Sequence, residues 1–440
     1  MFKGNHRWLV LLSALVMLAL VTLACAPAAA PTAQPTKAPA AAPTTAAAPT
    51  AAAQATKPAA APATPAATSQ EPYKIGLINS FSGYMAPMGQ PERDSALMLE
   101  EKLNKAGGIN GRPIKLIAYD DESDETKGVL AIKKLINDDK VLGMIGTAAS
   151  GIAMAQVPVA EDAGVPFITM QSAKSTIVPA KKWIFKLPLS EGFYVEGIYR
   201  WLKGEGYTKV AWLSQGAGFG KEATKYLDST AGQQGLTVVV KEEYGPTDTD
   251  MKPQLTKVKS SGAQALVVYG AEAAGAIAVR QAKELGINVP IIGPESLTLP
   301  AIMSNKELRD GLEGMFILAH KADVWEQLQD NDAQKPLIKA LADDLKAKYG
   351  ASRTISMWEG VASDALTLMV NAIKKANPDT SKLDDARGKI RTAIEQTTGM
   401  IGTTSALNYS AGEHDGGVDI KAGVVSQVKD GKFKLVKALQ

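Results

Sequence analysis

The sequence predicts an α/β fold of two doubly wound parallel-sheet lobes, and three observations predict it. From residue 71 onward, short apolar runs alternate with amphipathic helical stretches, the pattern of a parallel sheet with right-handed crossovers. The runs carry apolar residues on both faces, as strands do when helices cover both sides of a sheet. The alternation breaks near Leu187-Pro188-Leu189 and then restarts.

The 440 residues allow two or three compact units, and the chain opens with segments that belong to neither lobe. Residues 1–24 read as an export signal: Lys3 and Arg7 form a basic front and 8–24 an apolar run. Cys25 is the single cysteine, so it makes no disulfide within the chain. Its place after Leu23-Ala24 is similar to a bacterial lipobox, in which the cysteine carries lipid. Thr22 stands where that pattern has leucine, which leaves an uncleaved anchor helix as the alternative. Either way the body is expected outside the cytoplasm and tethered to a membrane. Residues 25–71 hold the cysteine and a low-complexity Ala/Pro/Thr stretch that lacks the apolar surface to fold, and they read as a tether.

The net charge of +3 is misplaced for a nucleic-acid binder. Lys3, Arg7, Lys37 and Lys57 precede Glu71, the first acid; without those four, the 48 basic residues fall to 44 against 45 acidic ones. The folded part is therefore close to neutral, and no nucleic-acid partner is expected.

In the first lobe, 73–79 reads as a strand and 91–106 as a helix that buries Ala96, Leu99 and Leu103. A strand at 114–119 and a helix at 126–138 follow, then strands at 141–145 and 165–170 around a helix at 151–163. In the second lobe, helices are expected at 193–204, 221–235, 251–261 and 273–286. Strands are expected at 209–214, 236–244, 265–269 and 290–293. Helices at 337–349 and 361–375 come next, and 423–438 reads as two strands around Lys429-Asp430-Gly431-Lys432.

The stretch 141–175 holds the clearest candidate site. The turn Gly146-Thr147-Ala148-Ala149-Ser150-Gly151 joins a strand to a helix start whose free N–H groups favour an anion. The next strand ends in Gln171-Ser172-Ala173-Lys174-Ser175, a second small polar turn. Adjacent turns at the carboxyl ends of parallel strands are where such sheets bind ligands; two ordinary turns are the plainer reading. Glu295, after a buried strand, is either a carboxylate for an ammonium group or an exposed loop acid. Phe219 and Trp212 are candidates to wall an apolar pocket, with Trp212 better placed in the core.

Catalytic machinery is hard to assemble. Outside the signal only His320 and His414 remain, neither at metal-ligand spacing, and no nucleophile elbow is present. The run 216–221 fails the phosphate-loop pattern, with Gln215 where a glycine belongs and Glu222 where a hydroxyl belongs. It also lacks the third dinucleotide glycine, because Lys221 stands there. The acidic run 120–125 lacks calcium-loop spacing and reads as a solvated turn before a helix. No enzyme activity, metal or cofactor is expected.

Taken together, the residues resemble the leucine/isoleucine/valine-type solute-binding proteins of ABC importers, over essentially all of 73–439. The resemblance rests on Ile75-Gly76-Leu77 with Ser82-Gly83 and Gly89, and above all on the run from Asn104 to Ile114 (NKAGGINGRPI). Asp120, Gly143-Met144-Ile145-Gly146, Phe219-Gly220 and Gly293-Pro294-Glu295 follow in order. It implies a type I periplasmic-binding-protein fold with a three-crossing hinge. Lobe 1 would comprise 72–189 plus 322–416, and lobe 2 would comprise 190–321 plus 417–440. It implies that Ser150 and the backbone near Ala148 and Ala149 hold a ligand carboxylate, that Glu295 meets an α-ammonium, and that Phe219 forms a wall. Ala173 stands where a Thr or Ser is usual, with Gln171 or Ser172 as substitutes; Met88 replaces a first-loop tyrosine and Ala271 a lobe-2 aromatic. The implied partners are a small solute, an amino acid or related carboxylate or amide, and the membrane subunits of a permease, with the protein a monomer. The alternative partner is a membrane receptor for which the same clamp acts as a sensing adaptor.

Overall fold

Strand β1 (Tyr73–Asn79) buries nearly every side chain and pairs in parallel with β2 (Ile114–Asp120) on one side and β3 (Gly143–Gly146) on the other. The computed structural model describes residues 71–187, 190–416 and 420–439; the signal, Cys25 and the tether through residue 70 lie outside them. Helix α1 (Ala86–Lys105) joins β1 to β2, and α2 (Glu125–Asn137) joins β2 to β3. Helix α3 (Ser150–Asp162) leads to β4 (Phe167–Thr169), and β5 (Ile184–Lys186) completes an all-parallel sheet of order β2-β1-β3-β4-β5.

The second sheet repeats that order. Helix α4 (Glu191–Gly204) precedes β6 (Lys209–Gln215), and α5 (Gly218–Thr230) leads to β7 (Thr237–Tyr244). Then come α6 (Lys252–Ser260), β8 (Ala265–Tyr269), α7 (Glu272–Glu284) and β9 (Ile291–Pro294). Two short helices, α8 (Pro300–Ser304) and α9 (Lys306–Leu312), lead to β10 (Phe316–His320). The parallel part runs β7-β6-β8-β9-β10, the same winding as the first sheet.

The chain then returns to the first sheet. Helices α10 (Lys335–Tyr349), α11 (Met357–Ala376) and α12 (Leu383–Glu395) follow, with α11 packed on α1 and β3. A small antiparallel pair, β11 (Met400–Ile401) and β12 (Ala406–Leu407), precedes the last passage to the second sheet. There β13 (Gly423–Lys429) and β14 (Lys432–Ala438) form an antiparallel hairpin beside β10.

Several details depart from the sequence pattern. Helix α1 starts at Ala86 rather than at 91; Pro87 occupies its first turn and Pro91 lies inside it. Strand β10 and helix α12 were absent from the expected elements. In α12 the buried face includes Arg387, which donates to the Val141 carbonyl at 2.9 Å, so a periodicity count scores a core position as polar. Trp212 is fully buried, with its indole N–H on Thr224 at 3.0 Å. In the acidic turn, Asp124 caps α2 by accepting from the Lys127 N–H at 2.8 Å. His414 stacks on Phe185 at 4.2 Å, with Nδ1 2.9 Å from the Ile184 carbonyl.

Two of the passages between the sheets are fastened together. Lys186 ends β5, and its ammonium lies 3.0 Å from the carboxylate of Asp415, with the two side chains 0% and 3% exposed. A buried pair is costly to break from one side, because the surviving charge keeps no partner. Lys186→Met should therefore cost about 3–5 kcal/mol in urea unfolding, while Lys186→Met with Asp415→Leu should recover most of the loss.

Candidate functional site

Parallel sheets open a crevice where the direction of winding reverses. Here the reversal falls between β1 and β3 in the first sheet and between β6 and β8 in the second. The turns that leave those four strands face one cavity of about 420 Å³.

On the first side, the turn after β3 is held from beneath. Gly146 has φ of 137°, and a Cβ there would stand 1.8 Å from the Ile78 carbonyl oxygen, so only glycine fits. The Asn79 side chain accepts from the Ala148 N–H at 3.2 Å and donates to Glu92. Thr147 donates to Asp121 at 3.2 Å, and Ser80 bonds the same carboxylate. Burial pushes the carboxyl of Glu92 well above its usual range and raises that of Asp121. This buried network fixes the turn so that α3 begins at the cavity wall, with no side chain capping it. The N–H groups of its first turn have no acceptor within the helix. Ala148, Ala149, Ser150 and Gly151 all line the cavity.

Met88, on α1, also lines it, as do Gln171 and Ser172. Gln171 spends its amide locally: it donates to Thr176 at 2.9 Å and accepts from the Ala173 N–H. Ala173 is fully buried and is not among the lining residues.

On the second side, the turn after β6 supplies Gln215, Gly218 and Phe219, and the turn after β8 supplies Ala271 and Glu272. The two sides touch: a Cβ on Gly218 would lie 2.9 Å from the Gly151 nitrogen and 3.0 Å from the Met154 methyl. Met85, Met154, Met170, Met357 and Trp358 give the remaining wall an apolar character.

Glu295 is placed elsewhere. It is 3% exposed and accepts from the Tyr194 hydroxyl at 2.6 Å, with His320 Nδ1 at 3.1 Å. Burial and the Glu295 charge push the Tyr194 phenol well above its usual range, so Tyr194 keeps the proton it donates. Tyr194 lines the main cavity; Glu295 instead lines a separate hollow with Asp323 and Trp325. The neighbouring Ser296 is the residue of this turn that reaches the main cavity.

Glu272 is a charged cavity residue that the sequence pattern does not mark. It is 6% exposed, sits at φ of 64° and accepts from the Gln215 amide. Left-handed backbone is costly for a side chain with a Cβ and concentrates at functional positions. The signal that marked Ser150, a turn at the carboxyl end of a buried parallel strand, was present at Gly270-Ala271-Glu272 too.

Burial pushes the Glu272 carboxyl up to about 8 from its ordinary 4.5, against the pull of the Gln215 hydrogen bond. The folded protein thus holds a proton that the unfolded chain releases near pH 4.5, and stability is lost as pH rises from there to about 8. Glu272→Gln should stabilise the ligand-free protein by on the order of 2–4 kcal/mol at pH 8.5 in urea unfolding. The gain should vanish by about pH 4.5.

A sequence profile of periplasmic binding proteins matches residues 72–432. The leucine-, isoleucine-, valine-, threonine- and alanine-binding protein of Pseudomonas aeruginosa is 28% identical over 343 residues, covering 75% of this chain and 85% of its own length. An extracellular ligand-binding receptor from Rhodopseudomonas palustris superposes with a TM-score of 0.76 at 23% identity, over 83% of this chain and 100% of its own. The branched-chain amino acid transporter substrate-binding protein LivJ of Streptococcus pneumoniae, solved with isoleucine, gives a TM-score of 0.69 at 23% identity, again over 83% and 100%.

Proposed function

Because this chain belongs to the periplasmic binding protein family, we propose that it is the extracytoplasmic solute-binding component of an ABC importer, closing on a small amino acid and presenting it to a permease. The observation that supports this most directly is the cavity itself. It lies where turns from both sheets converge, and its volume of about 420 Å³ suits a small solute. Its poles are polar and its walls are methionine, tryptophan and phenylalanine, a match for an apolar side chain carried on a charged backbone. The Pseudomonas relative's name gives four such amino acids, leucine, isoleucine, valine and alanine, together with threonine.

In this reading the carboxylate of the ligand sits at the start of α3, bonded by Ser150 and the free N–H groups there. A ligand that touches both lobes stabilises their closed arrangement, and the permease reads that arrangement. In this reading the ligand leaves the cavity as it entered. Lipid on Cys25 would keep the protein at the outer face of the membrane, in reach of the permease.

A thermal-shift screen of the twenty amino acids should give a clear rise in unfolding temperature for one or more of the five apolar or small ones. Ser150→Ala should weaken that ligand by roughly ten- to a hundredfold by calorimetry, the worth of about one hydrogen bond to a charged group. Unchanged unfolding temperature with all twenty would reject the amino-acid reading. Separately, Cys25→Ser should move the protein from the membrane fraction to the soluble extracytoplasmic fraction in the producing cell.

A further inference from the structure

We infer that Glu272 is the residue that takes the ammonium group of the captured amino acid, and that it gives up its own proton to solvent as the ligand enters. The inference rests on the amino-acid reading above and assigns a residue and a proton to it.

Four observations carry it. Glu272 leaves β8 at the winding reversal of the second sheet, so it faces the cavity across from the α3 start, whereas Glu295 follows β9, outside the reversal. Its backbone adopts a left-handed conformation at the first position of α7. Its only side-chain hydrogen bond among the described residues comes from the neutral amide of Gln215, so no protein cation is paired with it. Glu295, by contrast, is already engaged by Tyr194 and His320 and opens on the other hollow.

The surroundings of Glu272 make the proton count legible. Tyr84 and Glu125 line the same cavity from the first lobe, Asp121 lies behind Tyr84, Tyr244 approaches from β7, and Lys221 lines the cavity from α5. Burial and the Glu272 charge hold the phenols of Tyr84 and Tyr244 above their usual value, so both remain neutral near pH 7. Lys221 is exposed to solvent. Glu272 is the cavity carboxyl whose charged form burial disfavours. In the empty cavity it holds a proton at neutral pH, because burial disfavours its charge. An ammonium group arriving beside it restores the charge, and the displaced proton passes to buffer. The filled cavity then holds the ligand carboxylate at α3 and the ligand ammonium against Glu272, alongside Glu125 and Lys221.

The test is calorimetry of the full chain with L-leucine, L-isoleucine, L-valine, L-threonine and L-alanine, in phosphate and in Tris at pH 7. For whichever binds, the observed heat should differ between buffers by an amount that corresponds to release of about 0.9 proton. Affinity should rise nearly tenfold per pH unit from 6 to 7.5 and level off above 8. Glu272→Gln should weaken binding at pH 8 by at least about tenfold and abolish both the buffer difference and the pH slope. Glu295→Gln should leave the slope in place. The wild-type buffer experiment needs no variant, so poor folding of a mutant cannot mask the answer. Buffer-independent heat with a flat pH profile would overturn the inference while leaving amino-acid capture intact. So would Glu272→Gln binding as tightly as wild type, or 4-methylpentanoate binding more tightly than leucine. Failure of all five amino acids to bind would overturn both readings together.

Discussion

The start of α3 is a helix end without a side-chain cap, and the surrounding structure is built to hold it that way. Backbone N–H groups left without a partner are costly unless something polar meets them. The chain fixes this costly end in place from below, through Asn79, Asp121, Thr147 and a glycine that no other residue could replace. The network is itself buried and partly carboxylic, so its members hold one another in a single arrangement. A rigid underside and an unsatisfied upper side leave main-chain donors, rather than long, floppy side chains, facing the cavity.

The second sheet answers with the same winding but different chemistry. Its reversal point carries a carboxyl, Glu272, where the first carries a serine and bare N–H groups. Between these poles the wall is largely methionine, whose unbranched thioethers adjust to more than one side-chain shape. The cavity thus pairs polar ends with pliable apolar walls.

Much of the fold was legible in the sequence because parallel strands and amphipathic helices announce themselves through different periods. What escaped did so for physical reasons. The run Phe316–His320 is short and apolar, and length alone does not separate such a run from a piece of buried helix. Helix α12 hides behind Arg387, a charged residue with a core address. At the site, Ser150 and Phe219 were legible from turn position and both line the cavity. Glu295 drew attention as an acid after a buried strand, but sequence could not show that Tyr194 stands between it and the cavity. Glu272 lay unnoticed between an alanine and the start of a helix, because which strands flank the reversal is a property of sheet order and not of local pattern.

The contact between Gly151 and Gly218 carries a further consequence. It brings the first turns of α3 and α5 face to face, and neither turn contains an acidic residue or a capping side chain. Each such turn carries a partial positive charge. Across so short a gap like poles repel, although the Glu125 carboxylate reaches the α3 turn, 3.0 Å from where a Gly151 Cβ would stand. A negatively charged group lodged between them reverses the sign of that interaction. The pair of glycines, by admitting such a close approach, keeps both partial charges within reach of one small anion.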